Sequence, residues 1–230
     1  MVSSPAPGPL ALVGGGEWRE GSDLDAELVA RSGGEVFVLP TAAAYERPER
    51  AVATARAFFD RLGAKVVPVM ALSRADAEDP AVAGAVRAAP FVYLSGGSPL
   101  HLRSVLKGSA LLHALRAAWY AGAIVAGSSA GAMVLTDPMV DPRGGAFTVG
   151  LGFVRDLAVV PHYRGELTPA LRRTLELAPP ACALVALAEQ TAVVREPDGT
   201  WRSAGPGPVA VYVDGQLDSL AALAGKPLGD

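Results

Sequence analysis

The sequence has few of the residues that build disulfides, metal sites or nucleic-acid surfaces. Cys182 is its one cysteine, which excludes an internal disulfide and a cysteine-built zinc site. Because Cys182 lies in an apolar run, we expect a buried structural thiol rather than a nucleophile. The lysines and arginines form no basic cluster and the net charge is −3, so no nucleic-acid partner is expected. Histidine, cysteine and carboxylate residues show no metal-ligand spacing, and neither a metal nor a cofactor is predicted.

Targeting and membrane signals are also missing. Residues 1–7 have no basic region followed by an apolar core, so we expect no signal peptide and a cytoplasmic protein. Residues 117–135 carry no charge and have the length of a membrane span, but paired serines and three glycines interrupt them. No membrane segment is therefore predicted. A chain of 230 residues with 50% hydrophobic residues suits one well-buried domain, which we assign to residues 1–230.

Short apolar strands alternate with helices through the first half of the chain. Strands are predicted at 8–13, 36–39, 65–69, 91–94 and 123–126. Helices are predicted at 23–31, 47–62, 79–89 and 111–120. This alternation indicates an α/β three-layer sandwich with a mostly parallel central sheet. The loops that follow the strands then converge at one edge of the sheet, where such folds bind their ligands.

The pattern changes after residue 135. Residues 137–147 predict a loop or hairpin, and a helix capped by Thr168 is expected to run to residue 177. Further strands are predicted at 157–160, 183–188, 191–195 and 209–213, the last of these being the final strand. The glycine run 14–16 follows the first strand, but it lacks the spacing of a dinucleotide or phosphate loop. It is interpreted as a backbone turn at the ligand edge of the sheet.

Gly127-Ser-Ser-Ala-Gly131 fits the G-x-S-x-G nucleophile elbow that joins a strand to a helix. Such a turn holds its central residue, here Ser129, in strained backbone geometry, so small neighbours are needed. The hydroxyl then projects at a helix N-terminus, where N–H groups stabilise negative charge. Ser129 is the predicted nucleophile.

A serine nucleophile needs a base, and the sequence has three histidines. His162 directly follows an apolar strand in a Pro-His-Tyr turn and is the favoured base. His101 follows the Gly96-Gly97 loop and stays an alternative, while His113 lies inside a predicted helix.

The acid that orients the base has several candidates. Glu189 ends the apolar run 181–188 and precedes another strand, where a carboxylate is costly to bury without a partner. Asp137 and Asp141, in the segment after the elbow, and Glu166 are the alternatives. An α/β-hydrolase esterase is disfavoured because its histidine comes last, near the chain end, whereas His162 has long sequence after it.

Five segments, in order along nearly the whole chain, resemble the serine peptidase family of aspartyl dipeptidase (peptidase E) and cyanophycinase. The segments are Leu12-Val-Gly-Gly-Gly16, Leu94-Ser-Gly-Gly-Ser98, Ala126-Gly-Ser-Ser-Ala-Gly-Ala132, Val160-Pro-His-Tyr163 and Leu187-Ala-Glu-Gln-Thr-Ala192. The resemblance implies a class I glutamine amidotransferase-like fold. It also implies Ser129 as nucleophile, His162 as base, and an oxyanion hole from the backbone N–H groups of Gly97 and Ala130.

The resemblance implies two positions for the triad acid. The cyanophycinase-like pattern selects Glu189, which we favour, whereas the peptidase E pattern places an aspartate after the elbow, at Asp137 or Asp141. Substrate contacts are expected at Gly96 and Ser98, although the family usually has Asn or Asp where Ser98 stands. The arginine that binds an aspartyl substrate in peptidase E falls near Arg172 and Arg173.

The sequence and the resemblance together predict a cofactor-free serine peptidase that cleaves dipeptides or short peptides, and the peptidase E pattern implies an aspartyl preference. One alternative is a non-enzymatic protein of the same fold, a small-molecule binding or regulatory module. A third hypothesis is an esterase of that fold. The resemblance implies a monomer or a homodimer.

Overall fold

The computed structural model describes residues 6–21 and 23–229, in which strands alternate with helices up to residue 135. The strands are β1 (Leu10–Val13), β2 (Glu35–Leu39), β3 (Lys65–Pro68), β4 (Phe91–Leu94) and β5 (Ile124–Ser128). The helices are α1 (Asp23–Ser32), α2 (Pro48–Arg61), α3 (Arg74–Ala77), α4 (Pro80–Arg87), α5 (Pro99–Leu106), α6 (Ala110–Tyr120) and α7 (Ala130–Leu135). All five predicted strands are confirmed.

Short strands dominate the rest of the chain. They are β6 (Thr136–Asp137), β7 (Met139–Val140), β8 (Phe147–Thr148), β9 (Val154–Arg155), β10 (Leu157–Val160), β11 (Ala183–Leu187), β12 (Ala192–Arg195), β13 (Trp201–Ala204), β14 (Val209–Val213) and β15 (Gln216–Asp218). Helix α8 (Pro169–Glu176) begins after Thr168, whose side chain accepts from the Leu171 N–H as an N-cap. The antiparallel pair β7 and β8 confirms the predicted hairpin.

A seven-stranded sheet, in the order β13-β12-β1-β5-β4-β2-β3, forms the centre of the fold. Its strands β1 to β5 pair in parallel, whereas β12 and β13 add antiparallel strands at one edge. Alternate residues of β1 enter two different cores, with Leu12 on one face and Val13 on the other. Both faces are apolar because α1 and α2 cover one and helices α4 to α7 cover the other. The predicted mostly parallel sheet is confirmed.

A second sheet, in the order β15-β14-β11-β10-β6-β9, was not predicted. Its strands β10 and β11 pair in parallel, and their side chains join the core on the α4 to α7 side of the first sheet. The expectation that 209–213 is the final strand is wrong, because Gln216–Asp218 pairs with it across the Asp214-Gly215 turn. All three residues of β15 are exposed, so no apolar alternation marked them.

Helix α5 lies in a stretch for which no helix or strand was predicted. Pro99 occupies its first turn and the Ser98 side chain accepts from the His101 N–H, so Ser-Pro is here a helix start rather than a loop. The uncharged run 117–135 is divided among α6, β5 and α7. Across residues 6–21 and 23–229, no helix combines the length and the apolar character needed to cross a membrane.

Candidate active site

The elbow after β5 has the geometry that its small residues predict. Ser129 adopts φ 49° and ψ −106°, and α7 begins at the next residue. A Cβ on Gly127 would lie 2.5 Å from the carbonyl carbon of Gly131, and one on Gly131 would lie 2.4 Å from the Leu94 oxygen. Only glycine fits these close approaches, so the sequence at the elbow fixes where the Ser129 hydroxyl points.

His162 and Glu189 come to Ser129 from the second sheet. They follow β10 and β11, which are parallel neighbours with Val160 opposite Ala186, so both leave the sheet at the same edge. The Ser129 Oγ lies 2.9 Å from His162 Nε2. The other ring nitrogen, Nδ1, lies 3.1 Å from Glu189 Oε1. The structure thus brings these three predicted residues into one hydrogen-bonded chain.

The hydrogen bonds of His162 fix its roles as donor and acceptor. A neutral imidazole has one N–H and one bare nitrogen. When Nδ1–H donates to the Glu189 carboxylate, Nε2 is left to accept the Ser129 hydroxyl proton. About half of the His162 and Glu189 side chains is exposed, at 50% and 46%, so the chain of groups opens to solvent and to a substrate.

The glycine run after β1 connects the two sheets at the site through backbone hydrogen bonds. The His162 N–H donates to the Gly14 carbonyl at 2.8 Å, and the Gln190 N–H donates to the Gly15 carbonyl at 2.7 Å. The imidazole packs directly on Gly15, where a Cβ would lie 2.4 Å from the ring atom Cε1. The predicted turn therefore positions both the histidine and the segment that carries Glu189.

Backbone strain concentrates around these residues. Ser129 at φ 49°, His162 at φ 57° and Gln190 at φ 56° all adopt left-handed conformations without being glycine. Such conformations are costly and persist where the surrounding structure imposes them, most often at functional sites.

Gly96 and Gly97 lie beside the nucleophile. In the parallel pairing of β4 with β5, Leu94 is opposite Gly127, which places Gly96 level with Ser129. Gly97 has φ 134°, and a Cβ on it would lie 2.3 Å from the Ala42 oxygen. Glycine is thus required at Gly97, which directly follows the residue that lies level with Ser129.

The alternative acids are engaged elsewhere. Asp137 Oδ1 accepts from the Gly150 N–H at 2.8 Å. Asp141 pairs with Arg143, whose hydrogen bonds lower the pKa of the Asp141 carboxyl to about 2. Glu166 is exposed in the segment before α8. Within the described residues, Glu189 is the carboxylate that contacts His162.

The two other histidines and the cysteine form no hydrogen bond with Ser129, His162 or Glu189 among the described residues. His101 Nε2 lies 2.9 Å from the Leu72 carbonyl, and its ring packs against Tyr45. His113 is exposed on α6. Cys182 is 3% exposed, and burial raises the pKa of its thiol to about 11, so the predicted buried thiol is confirmed.

The predicted substrate arginines lie away from the hydrogen-bonded chain. Arg173 Nε donates to the Gly144 carbonyl at 3.2 Å. Arg172 lines a separate cavity of about 520 Å³ with Leu167 and Asp214. The register that placed both arginines at the site came from the resemblance, and helix α8 puts them against other neighbours.

A cleft of about 490 Å³ opens on His162 and Glu189, and three arginines that the sequence analysis missed line it. Arg19 comes from the loop after β1, with Nη1 3.4 Å from Glu189 Oε2. Arg47 and Arg50 come from the start of α2. The sequence could have indicated Arg47 and Arg50, because they follow the loop after β2, which lies at the edge of the sheet where such folds bind ligands.

Comparisons with known proteins agree with this architecture. The model of "Peptidase family S51" matches residues 10–201. Cyanophycinase of Synechococcus elongatus is 28% identical over 219 residues, covering 89% of this chain and 67% of that protein. The crystal structure of a peptidase from an acI-B1 actinobacterium superimposes with a TM-score of 0.82 at 27% identity, covering 94% and 98% of the two chains.

A putative peptidase E of Listeria monocytogenes EGD-e shares the fold, with a TM-score of 0.62 at 18% identity over 90% of this chain and 99% of that one. The family model covers most of the chain, and the protein belongs to peptidase family S51. It is by family a serine peptidase, as the elbow and the five matching segments predicted.

Proposed function

We propose that the protein hydrolyses dipeptides or short peptides through a Ser129-His162-Glu189 triad and an acyl-enzyme. One observation carries the proposal. The hydroxyl at a strained elbow is 2.9 Å from an imidazole whose other nitrogen is 3.1 Å from a carboxylate. This arrangement supplies a nucleophile, a base and an orienting acid within hydrogen-bond reach.

The reaction follows from the direction of these hydrogen bonds. Ser129 Oγ attacks the peptide carbonyl carbon while its proton passes to His162 Nε2. The imidazolium is stabilised by Glu189 and returns the proton to the leaving amine, which leaves the acyl group on Ser129. A water molecule then gives its proton to His162 and attacks the ester carbonyl, and the acid product leaves as Ser129 regains its proton.

The backbone N–H groups of Gly97 and Ala130 are proposed to stabilise the tetrahedral oxyanion. Ala130 opens α7 directly after the nucleophile, and the first N–H groups of a helix have no partner within it. Gly97 directly follows Gly96, which the pairing of β4 with β5 brings level with Ser129. Two fixed donors aimed at a developing charge contribute strongly because they need no reorganisation.

Arg47 and Arg50 support a preference for substrates with a carboxylate beside the scissile bond. Both line the cleft that holds His162 and Glu189, and their guanidinium groups bind carboxylates through paired N–H donors. They replace Arg172 and Arg173 in our assignment of the substrate side. Glu17 and Glu46 also line the cleft, so the proposed preference for an acidic residue such as aspartate rests on Arg47 and Arg50 and not on the net charge of the lining.

A substrate panel tests the proposed function. We expect aspartyl dipeptides to be cleaved faster than neutral dipeptides, and both faster than simple esters of matched size. A fluorophosphonate is expected to label Ser129. Hydrolysis of esters alone would identify an esterase, and absence of labelling would identify a binding module without an activated serine.

The arginine assignment gives its own prediction. Arg47→Ala and Arg50→Ala are expected to raise KM for an acidic dipeptide about tenfold, since a charge-assisted hydrogen bond contributes roughly 1.5 kcal/mol or more. For a neutral dipeptide KM should stay near the wild-type value. Arg56→Ala, an exposed arginine on the same helix outside the cleft, is the matched control. Equal losses on both substrates would refute the assignment.

The triad acid is tested by paired carboxylate substitutions. Glu189→Gln is expected to lower kcat by about 10³ to 10⁴-fold, because the wrong tautomer of His162 is then favoured. Asp141→Asn is expected to leave kcat within about twofold, because Asp141 contacts Arg143 rather than His162. Steady-state kinetics of the two folded variants decide between them. The reverse order of effects would move the acid to the segment after the elbow.

A further inference from the structure

We propose that Glu17 is a positioning residue that sets the spacing between the two backbone segments of the oxyanion hole. This inference rests on the proposed function, because it needs Ser129 to act as the nucleophile. Glu17 follows the glycine run after β1 and belongs neither to the triad nor to the predicted substrate contacts.

The Glu17 carboxylate bridges two separate elements. Its Oε1 accepts from the Gly96 N–H at 2.9 Å, and its Oε2 accepts from the Ser128 hydroxyl at 2.7 Å. Gly96 directly precedes the proposed donor Gly97, and Ser128 directly precedes Ser129. Hydrogen bonds to a carboxylate are shorter and stronger than neutral ones, so the bridge holds both segments firmly.

The loop after β4 shows why this bridge matters. Of the four backbone N–H groups of residues 95–98, three donate hydrogen bonds to protein acceptors. Within the described residues, the N–H of Gly97 donates to none. The three bonds are Ser95 N–H to Leu39 O at 3.1 Å, Gly96 N–H to Glu17 Oε1 at 2.9 Å and Ser98 N–H to Ala42 O at 2.8 Å. The Glu17 bond is the one of these that links the loop, through Ser128, to the elbow.

The position of Glu17 is itself fixed by packing. Its neighbour Trp18 is 6% exposed and packs against Tyr93 and Phe59, with ring centroids 5.3 and 6.4 Å away. A Cβ on Gly96 would lie 3.1 Å from Glu17 Oε1, a contact tight enough that the carboxylate would have to shift by a few tenths of an ångström. A buried aromatic anchor on one side and two hydrogen bonds on the other leave the carboxylate little freedom.

The charge of Glu17 does not serve the reaction by itself. A carboxylate near a developing oxyanion repels it, so any benefit must come from the geometry that the two hydrogen bonds impose. Glutamine can keep this geometry, because its oxygen accepts from the Gly96 N–H and its amide donates to Ser128 Oγ. Alanine can keep neither bond.

The test compares Glu17→Ala, Glu17→Gln and Ser128→Ala with the control Glu20→Gln, an exposed carboxylate of the same loop. We expect Glu17→Ala to lower kcat about 10 to 100-fold, less than the loss of a whole oxyanion donor, with KM within about threefold. Glu17→Gln should recover kcat to within about fivefold of wild type, and Ser128→Ala should fall between them. The rate constant for fluorophosphonate inactivation is expected to follow the same order.

Three outcomes overturn the inference. A raised KM with unchanged kcat in Glu17→Ala would make Glu17 a substrate contact. Equal changes in Glu17→Ala and Glu17→Gln would show that charge, not geometry, is what matters. Wild-type kinetics in Glu17→Ala would show no role. If Glu17→Ala does not fold, Glu17→Gln and Ser128→Ala still decide. Failure of the proposed function is distinguished because Ser129→Ala would then keep its activity whatever Glu17 does.

Discussion

Replacing Ser129 with alanine is expected to lower peptide turnover by about 10⁴-fold or more. The hydroxyl is the atom that forms the bond to substrate, and its 2.9 Å contact with His162 Nε2 is the path by which its proton leaves. Residual hydrolysis then depends on the oxyanion donors and on substrate binding alone. The fold should not change, because alanine is small and the strained backbone is imposed by Gly127 and Gly131 on either side.

The same prediction extends to the base and to the pair. His162→Ala should cost about as much as Ser129→Ala, and the double variant no more than either, since triad members act as one unit. Steady-state kinetics on an aspartyl dipeptide measure the losses, and thermal unfolding checks that each variant is folded. Ser203→Ala, an exposed serine on β13, is the control. Retention of full peptidase activity by Ser129→Ala would refute the proposed nucleophile.

The parallel sheet and the elbow were predictable because each depends on short, contiguous stretches of sequence. The strands β1 and β4 are unbroken apolar runs because both faces of the sheet are buried there, and in β2 and β3 the charged residue is the first one, Glu35 or Lys65. The elbow needs glycine at Gly127 and Gly131 for steric reasons that hold in any fold with this turn. His162 and Glu189 followed from similar logic, as polar residues placed directly after apolar strands.

The second sheet and the arginine cleft were not predictable in this way. The pairing of β10 with β11 decides that His162 and Glu189 meet, and pairing between strands is a property of the three-dimensional arrangement rather than of either strand. Arg47 and Arg50 look like ordinary exposed residues of an amphipathic helix until the start of α2 is placed beside His162 and Glu189. Arg172 and Arg173 show the converse, since a matching sequence position on α8 leads Arg172 to a different cavity and Arg173 to the Gly144 carbonyl.

Glu17 is a further residue whose role could not be predicted from the sequence. It is an acid four residues after the end of β1, and its two hydrogen-bond partners lie 79 and 111 positions further along the chain. What could have indicated it is its place directly after the glycine run, where loops at the ligand edge converge. The proposed catalytic residues lie in recognisable sequence motifs. A residue that holds two motifs at a fixed distance can be identified only from the folded structure.

Gly15→Ala is expected to lower kcat by about 10²-fold in a protein that still folds, because a misplacement of the base by about 1 Å costs roughly that much. A Cβ at this position would lie 2.4 Å from Cε1 and 2.8 Å from Nδ1 of His162. The ring cannot move aside freely, since Ser129 and Glu189 hold its two nitrogens. The new methyl group therefore pushes the imidazole off the line that joins the hydroxyl to the carboxylate.

Gly33→Ala separates this contact from backbone strain. Gly15 has φ 122° and Gly33 has φ 79°, so alanine is strained at both, at a cost of about 1–2 kcal/mol at Gly33 and about 1–3 kcal/mol at Gly15, whose φ lies further from the left-handed helical region. A Cβ on Gly33 meets nothing within 4 Å, whereas one on Gly15 meets the His162 ring. Thermal unfolding should show both variants destabilised, while kinetics and fluorophosphonate labelling should show a loss only in Gly15→Ala. Equal kcat losses would trace the effect to general destabilisation, and a wild-type kcat in Gly15→Ala would mean that the working imidazole does not pack on Gly15.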